Sequence, residues 1–129
     1  HFMALSEAHR SAKDLEQATA VLMRARGKFG PLHPLEDQLA ELESRVGRHA
    51  DAIERITHVL DDASRKEFWL ARRADLREAA GQLTLAHIDR LRAVRLIDQQ
   101  QIQNGQSEAT ERLREALQDA IRRVKVRPG

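Results

Sequence analysis

Apolar residues return at three- and four-residue steps along most of the chain, the spacing that keeps one face of an α-helix turned toward a core. The clearest stretch lies near the C-terminus, where Leu113, Ala116, Leu117, Ala120, Ile121 and Val124 form a one-sided stripe. The pattern and its punctuation predict helices over about Met3–Ala12, Asp14–Arg26, Pro34–Val46 and Ala50–Asp62. A further helix runs from a capping box at Ser64 and Glu67 through Ala80, and a longer one from Leu83 through Gln103. Between them Gly27, Gly30, Pro31 and Pro34 open a loop, and Pro34 suits a first helical turn. Gly47 and Gly81 stand where left-handed cap residues are needed. Asn104-Gly105 marks a turn, and Ser107 is placed to cap a last helix through about Val126.

The two capping glycines are 34 residues apart, and the same offset aligns much else. Ala40 falls on Ala74, Leu42 on Leu76, Ala52 on Ala86, Val59 on Ala93, Leu60 on Val94 and Leu35 on Trp69. One period earlier, Ser6 falls on Ala40, Ala18 on Ala52, Leu22 on Ile56 and Ala25 on Val59. Small residues recur because two antiparallel helices approach closely only where side chains are small, and larger apolar residues one turn away fill the adjoining space. A helical hairpin of this kind cannot bury its apolar face alone, so neighbouring hairpins stack.

These residues resemble the tetratricopeptide repeat (TPR) family, whose units carry aromatic-x2-Leu-Gly/Ala-x2-aromatic in a first helix and Ala-x3-Phe with a further Ala in a second. The matching positions are Phe2, Leu5, Ser6, His9, Ala18, Leu22 and Ala25 in one unit. The next unit offers Glu36, Leu39, Ala40, Glu43, Ala52, Ile56 and Val59, and the third Leu70, Arg73, Ala74, Arg77, Ala86, Arg90 and Ala93. Glu36, Glu43, Arg73, Arg77 and Arg90 depart from the family pattern, which prefers apolar or aromatic residues there. The resemblance implies an all-α fold, an α-α superhelix of about three TPR-like helix pairs plus a C-terminal capping helix. A single domain, 1–129, then divides into units of about 1–32, 33–66 and 67–100, with the capping helix at about 107–126.

The chain has 129 residues, 41% hydrophobic and 33% charged, which suits a folded helical protein better than a disordered one. Aromatics are scarce at 3%, so the core is built from Leu, Ile, Val and Ala. Basic and acidic residues, 22 and 20, are interleaved, which argues against a nucleic-acid footprint. Arg supplies 18 of those 22 cations, as codon bias in a GC-rich genome would give; the alternative is bidentate recognition of carboxylates or phosphates. The one basic cluster, Arg122-Arg123-Val124-Lys125-Val126-Arg127, stands where cations favour a helix C-terminus. With no cysteine, disulfide and thiol chemistry are excluded, while the compartment stays open between cytoplasm and periplasm. The start at His1-Phe2-Met3 has no signal-peptide form, and the chain reads as a piece of a longer protein.

Six histidines form no His-x3-His or HExxH arrangement, and the one-turn pairs His33/Asp37 and Glu54/His58 offer only two ligands each. Neither a Walker loop nor a Gly-x-Gly-x-x-Gly segment occurs. The expectation is therefore no enzyme, no metal and no cofactor. The resemblance implies instead a protein–protein interaction scaffold within a larger bacterial protein, in a secretion, envelope or polysaccharide-export assembly. Its concave groove, lined by the first helix of each pair, would carry Glu7 and Arg10, then Asp37, Glu41 and Arg45, then Phe68, Arg72, Asp75 and Glu78, with Met3 and Ser44 beside them. Carboxylates outnumber arginines in that set, so the groove is expected to be mildly acidic and its partner a protein or peptide of basic character. The Lys/Asn/Arg clamp of chaperone adaptors is not reproduced, since only Arg72 stands in a clamp-like slot. The alternatives are a self-associating module that forms homo-oligomers through its repeat ends, and a helical domain binding nucleic acid through the basic tail.

Overall fold

The computed structural model describes the backbone of residues 2–105 and 107–125 and the side chains of residues 13–105 and 107–125. Those residues are all-helical: α1 Phe2–Phe29, α2 His33–Arg45, α3 His49–Asp62, α4 Lys66–Ala79, α5 Leu83–Asn104 and α6 Glu108–Arg123.

The first helix corrects an expectation. A break near Lys13 was predicted to split it into Met3–Ala12 and Asp14–Arg26, yet α1 is one helix of 28 residues. The reason is local: Ser11-Ala12-Lys13-Asp14 contains neither Gly nor Pro, so nothing stops propagation once the helix has formed. Gly27 lies within the helix as well, and the chain turns only at Gly30, with φ of 82°. The residues before α2 thus form a single rod instead of a hairpin.

The next four helices do form two hairpins, and their turns coincide in detail. At Gly47 (φ 87°) the Arg48 amide donates to the Glu43 carbonyl and the Gly47 amide to that of Ser44. At Gly81 (φ 82°) the Gln82 amide donates to Arg77 and the Gly81 amide to Glu78. Every member of the second set lies 34 residues beyond its counterpart in the first. The turn satisfies carbonyls that a helix end leaves open, and it requires a residue that tolerates positive φ.

The alanines predicted to permit close approach are fully enclosed: Ala40, Ala52, Ala74, Ala86 and Ala93 have no exposure. One core, between α2, α3 and α4, joins Ala40, Ala52, Ile53, Ile56 and Val59 to Trp69 and Leu76. A second joins Leu70 of α4, Ala93 and Ile97 of α5 and Leu117 of α6. Leu60 packs against both, so the two hairpins share a continuous interior.

Helix starts were predicted with mixed outcome. Pro34 sits in the first turn of α2, and the Ser107 hydroxyl accepts the Thr110 amide at 3.2 Å to cap α6. The Ser64/Glu67 capping box does not form. The helix begins after Arg65 without a side-chain cap, and the buried Glu67 carboxylate accepts Gln100 Nε2 of α5 at 3.0 Å. Once Glu67 faces α5, it cannot also reach back to the backbone in front of its own helix.

Candidate functional site

The charged residues that broke the repeat pattern are not loose ends. Glu43 on α2 and Arg55 on α3 pair at 2.8 Å, and Arg77 on α4 and Asp89 on α5 pair at 2.8 Å. These are the same two slots, 34 residues apart, with the charges exchanged. Around the first pair, Glu36 accepts Arg55 Nη1 at 2.6 Å and Arg26 Nε at 2.8 Å, so one carboxylate joins α1, α2 and α3. Burial alone would push the Glu36 carboxyl up, but its bonds to Arg26 and Arg55 outweigh that and hold it below the usual carboxylate range. The bond from Glu43, ahead of that from Glu36, raises the Arg55 guanidinium.

Around the second pair, Asp89 has no exposure and accepts Arg73 Nη2 at 2.8 Å and Nε at 3.0 Å, besides Arg77. Arg90 is 1% exposed and occupies the slot that Ile56 fills in the first hairpin. Its Nη2 reaches Glu78 at 2.6 Å and Asp75 at 3.0 Å. The long apolar stem of Arg90 fills the inter-helix space while its head meets carboxylates at the edge.

The predicted groove residues are partly brought together. Asp37 and Glu41 of α2 both accept Arg72 of α4, and Glu41 also accepts Arg45 at 3.2 Å. Asp75 and Glu78 are held by Arg90, and Glu78 in addition by Arg123 of α6 at 3.2 Å. The Arg72 bond holds the Glu41 carboxyl below its ordinary range, and the Arg123 and Arg90 bonds do the same for Glu78. The α2 and α4 portion of this face is therefore charge-balanced and not mildly acidic as expected, because every carboxylate there already has an arginine. Phe68 stays half exposed, edge-on to Trp69 with ring centroids 5.2 Å apart. Glu7, Arg10 and Met3 lie outside the residues whose side chains are described.

A cleft of about 390 Å³ opens elsewhere, where the end of α1 and the loop after it meet α2 and α3. Pro31 and Val59 supply apolar lining, and the Arg26–Glu36–Arg55–Glu43 chain of ion pairs lies along one side. Asp51, Glu54 and Asp62 line the rest, and among the described residues none of the three pairs with an Arg or Lys. Asp62 meets His33 Nε2 at 3.1 Å, and Glu54 meets His58 at 3.7 Å. The one-turn partner of His33 in the sequence, Asp37, is instead turned to Arg72. Sequence reasoning missed this cleft because it depends on where α1 delivers Arg26 and Pro31. The available signal was the outward face of α3, where Asp51, Glu54, Asp61 and Asp62 accumulate.

Among the described residues no three metal-ligating side chains converge, and no described helix is long and apolar enough to cross a membrane. The chain matches no family model, no curated protein and no solved structure.

Proposed function

We propose that this chain is a non-enzymatic, TPR-like protein-binding scaffold that holds a basic segment of its partner in the cleft between α1, α2 and α3. The cleft carries the reading: three carboxylates without a cationic partner among the described residues border a concave surface with apolar lining. A lysine or arginine of an incoming segment would supply the missing charge, and its stem would lie on Pro31 and Val59. The repeated architecture supports the same reading. Stacked hairpins constrain their buried slots, which recur at 34 residues, and leave the outward slots open to recognition. A bacterial secretion, envelope or polysaccharide-export assembly fits such a module by the family resemblance.

The test is fluorescence anisotropy of the chain with labelled Lys/Arg-rich peptides and with Glu-rich peptides of equal length. The basic peptides should bind in low salt and weaken as salt rises. Asp51→Asn, Glu54→Gln and Asp62→Asn together should weaken them about tenfold, with Phe68→Ala neutral. The opposite pattern would move the site to the α2/α4 face, and equal binding of both peptides would reject the proposal. Self-association is a second reading, favoured by Val21, Met23 and Phe29, which are exposed on α1. Light scattering over a concentration series decides it, and a monomer throughout removes it.

A further inference from the structure

Helix α5 has two apolar faces, and only one of them is used by the fold. Ala86, Ala93 and Ile97 are enclosed, whereas Leu85, Ile88 and Leu91 on the opposite side are 44%, 37% and 45% exposed. Arg92 and Arg95 continue the outward face, and among the described residues neither forms an ion pair. Both carboxylates of this helix are otherwise engaged: Asp89 is buried with Arg73 and Arg77, and Asp98 holds Arg114 at 2.8 Å. The one acidic side chain of α5 that reaches solvent, Asp98, is tied to Arg114, and the fully exposed positions are apolar, neutral or cationic.

The register-equivalent positions on α3 show that the hairpin does not require this. Leu85, Ile88, Arg92 and Arg95 correspond to Asp51, Glu54, His58 and Asp61, which are all polar or charged. A stripe of half-exposed leucine and isoleucine at helical spacing, ending in two arginines, has the form of a helix-docking surface.

We infer that the outward face of α5 binds an acidic amphipathic helix of a partner protein, with Leu85, Ile88 and Leu91 receiving its apolar residues and Arg92 and Arg95 its carboxylates. A second copy of α5 does not fit, because like-on-like pairing offers Arg92 and Arg95 no carboxylate except Asp98, which already holds Arg114. Nor does the α3 face of a second copy, whose Asp51, Glu54, His58 and Asp61 offer no apolar side chain to Leu85, Ile88 and Leu91. The inference shares no residue with the cleft and stands or falls separately from it.

The probes are two designed helical peptides with the same leucine pattern, one flanked by Glu and one by Lys, titrated by fluorescence anisotropy. The Glu peptide should bind, and the Lys peptide should bind at least about tenfold more weakly. Ile88→Asp and Leu91→Asp, both at exposed positions, should each weaken the Glu peptide about tenfold with unchanged circular dichroism. Arg92→Glu with Arg95→Glu should reverse the preference between the peptides. The cleft variants Asp51→Asn, Glu54→Gln and Asp62→Asn should leave the Glu peptide unaffected. Equal binding of both peptides, or no effect of Ile88→Asp, overturns the inference. So does co-sedimentation with phosphatidylserine vesicles in the absence of peptide binding, or a dimer that Ile88→Asp dissociates.

Discussion

A carboxylate with no exposure to solvent is costly to keep charged unless cations and hydrogen bonds replace the water it has lost. Asp89 meets that condition with Arg73 and Arg77, both of which lie mostly inside the protein. Asp89→Asn should lower stability by about 3–5 kcal/mol, since two buried guanidinium groups lose their counter-charge. The urea-unfolding midpoint measures this. Copying the other hairpin's polarity with Arg73→Leu, Arg77→Glu and Asp89→Arg should recover much of what Asp89→Arg alone loses. Glu36 adds a pH dependence at the same scale. Its folded carboxyl lies below the unfolded value of about 4.3, as do those of Glu41 and Glu78. In that window the unfolded chain binds the extra protons, so the stabilisation is complete above the unfolded pKa and is lost as pH falls through the folded one. The stability gap between wild type and Glu36→Gln should therefore be largest near neutral pH and shrink below about pH 4.

Helix boundaries here follow from single residues where the determinant is local. Gly47 and Gly81 adopt positive φ in equivalent turns, where a Cβ meets strain even though the space around it is open. Replacing either with Ala should cost about 1 kcal/mol, and the two costs should match. Gly27, inside α1 and without positive φ, has nothing within 4 Å of an added Cβ. There the same replacement should stabilise by about 0.5–1 kcal/mol, an opposite sign readable in parallel thermal melts. Ser107→Ala should cost about 1 kcal/mol through loss of the α6 cap. The absence of a cap at Ser64 shows the limit of local rules. A capping box stabilises by an amount comparable to one hydrogen bond, and the bond from Gln100 to Glu67, formed inside the fold, takes its place.

Across the whole molecule, each helix packs mainly on the next one, and side-chain ties link alternate helices: Arg72 joins α4 to α2, and Arg123 joins α6 to α4. Stability in such an arrangement is distributed by neighbour and need not be uniform. None of the described side chains of α1 is buried, whereas α3, α4 and α5 carry most of the enclosed residues. Native-state hydrogen exchange should therefore show amides of residues 13–26 opening well before those in the interiors of α3–α5. Uniform protection across these helices would contradict the packing. The same layout explains why the surfaces were harder to read than the core. Asp37, Glu41 and Arg72, expected on one face, do meet, but the charge of that face was not legible, because Arg90 and Arg123 reach Glu78 from α5 and α6.

By itself, the sequence determined the helical class, the glycine turns and the small buried residues at 34-residue spacing. Those properties depend on φ preferences, on side-chain size and on the helical period, all of which act over a few residues. The tertiary structure decided how the irregular charges are used. Glu43 and Arg77 look like unrelated departures along the chain, and with Arg55 and Asp89 they become two equivalent ion pairs of opposite polarity only when the hairpins close. It also decided that the groove carboxylates of α2 and α4 are already paired, and that three others border a cleft. Charge pairing requires atoms within a few ångströms, and here the partners lie on different helices. Only packing brings them within that distance.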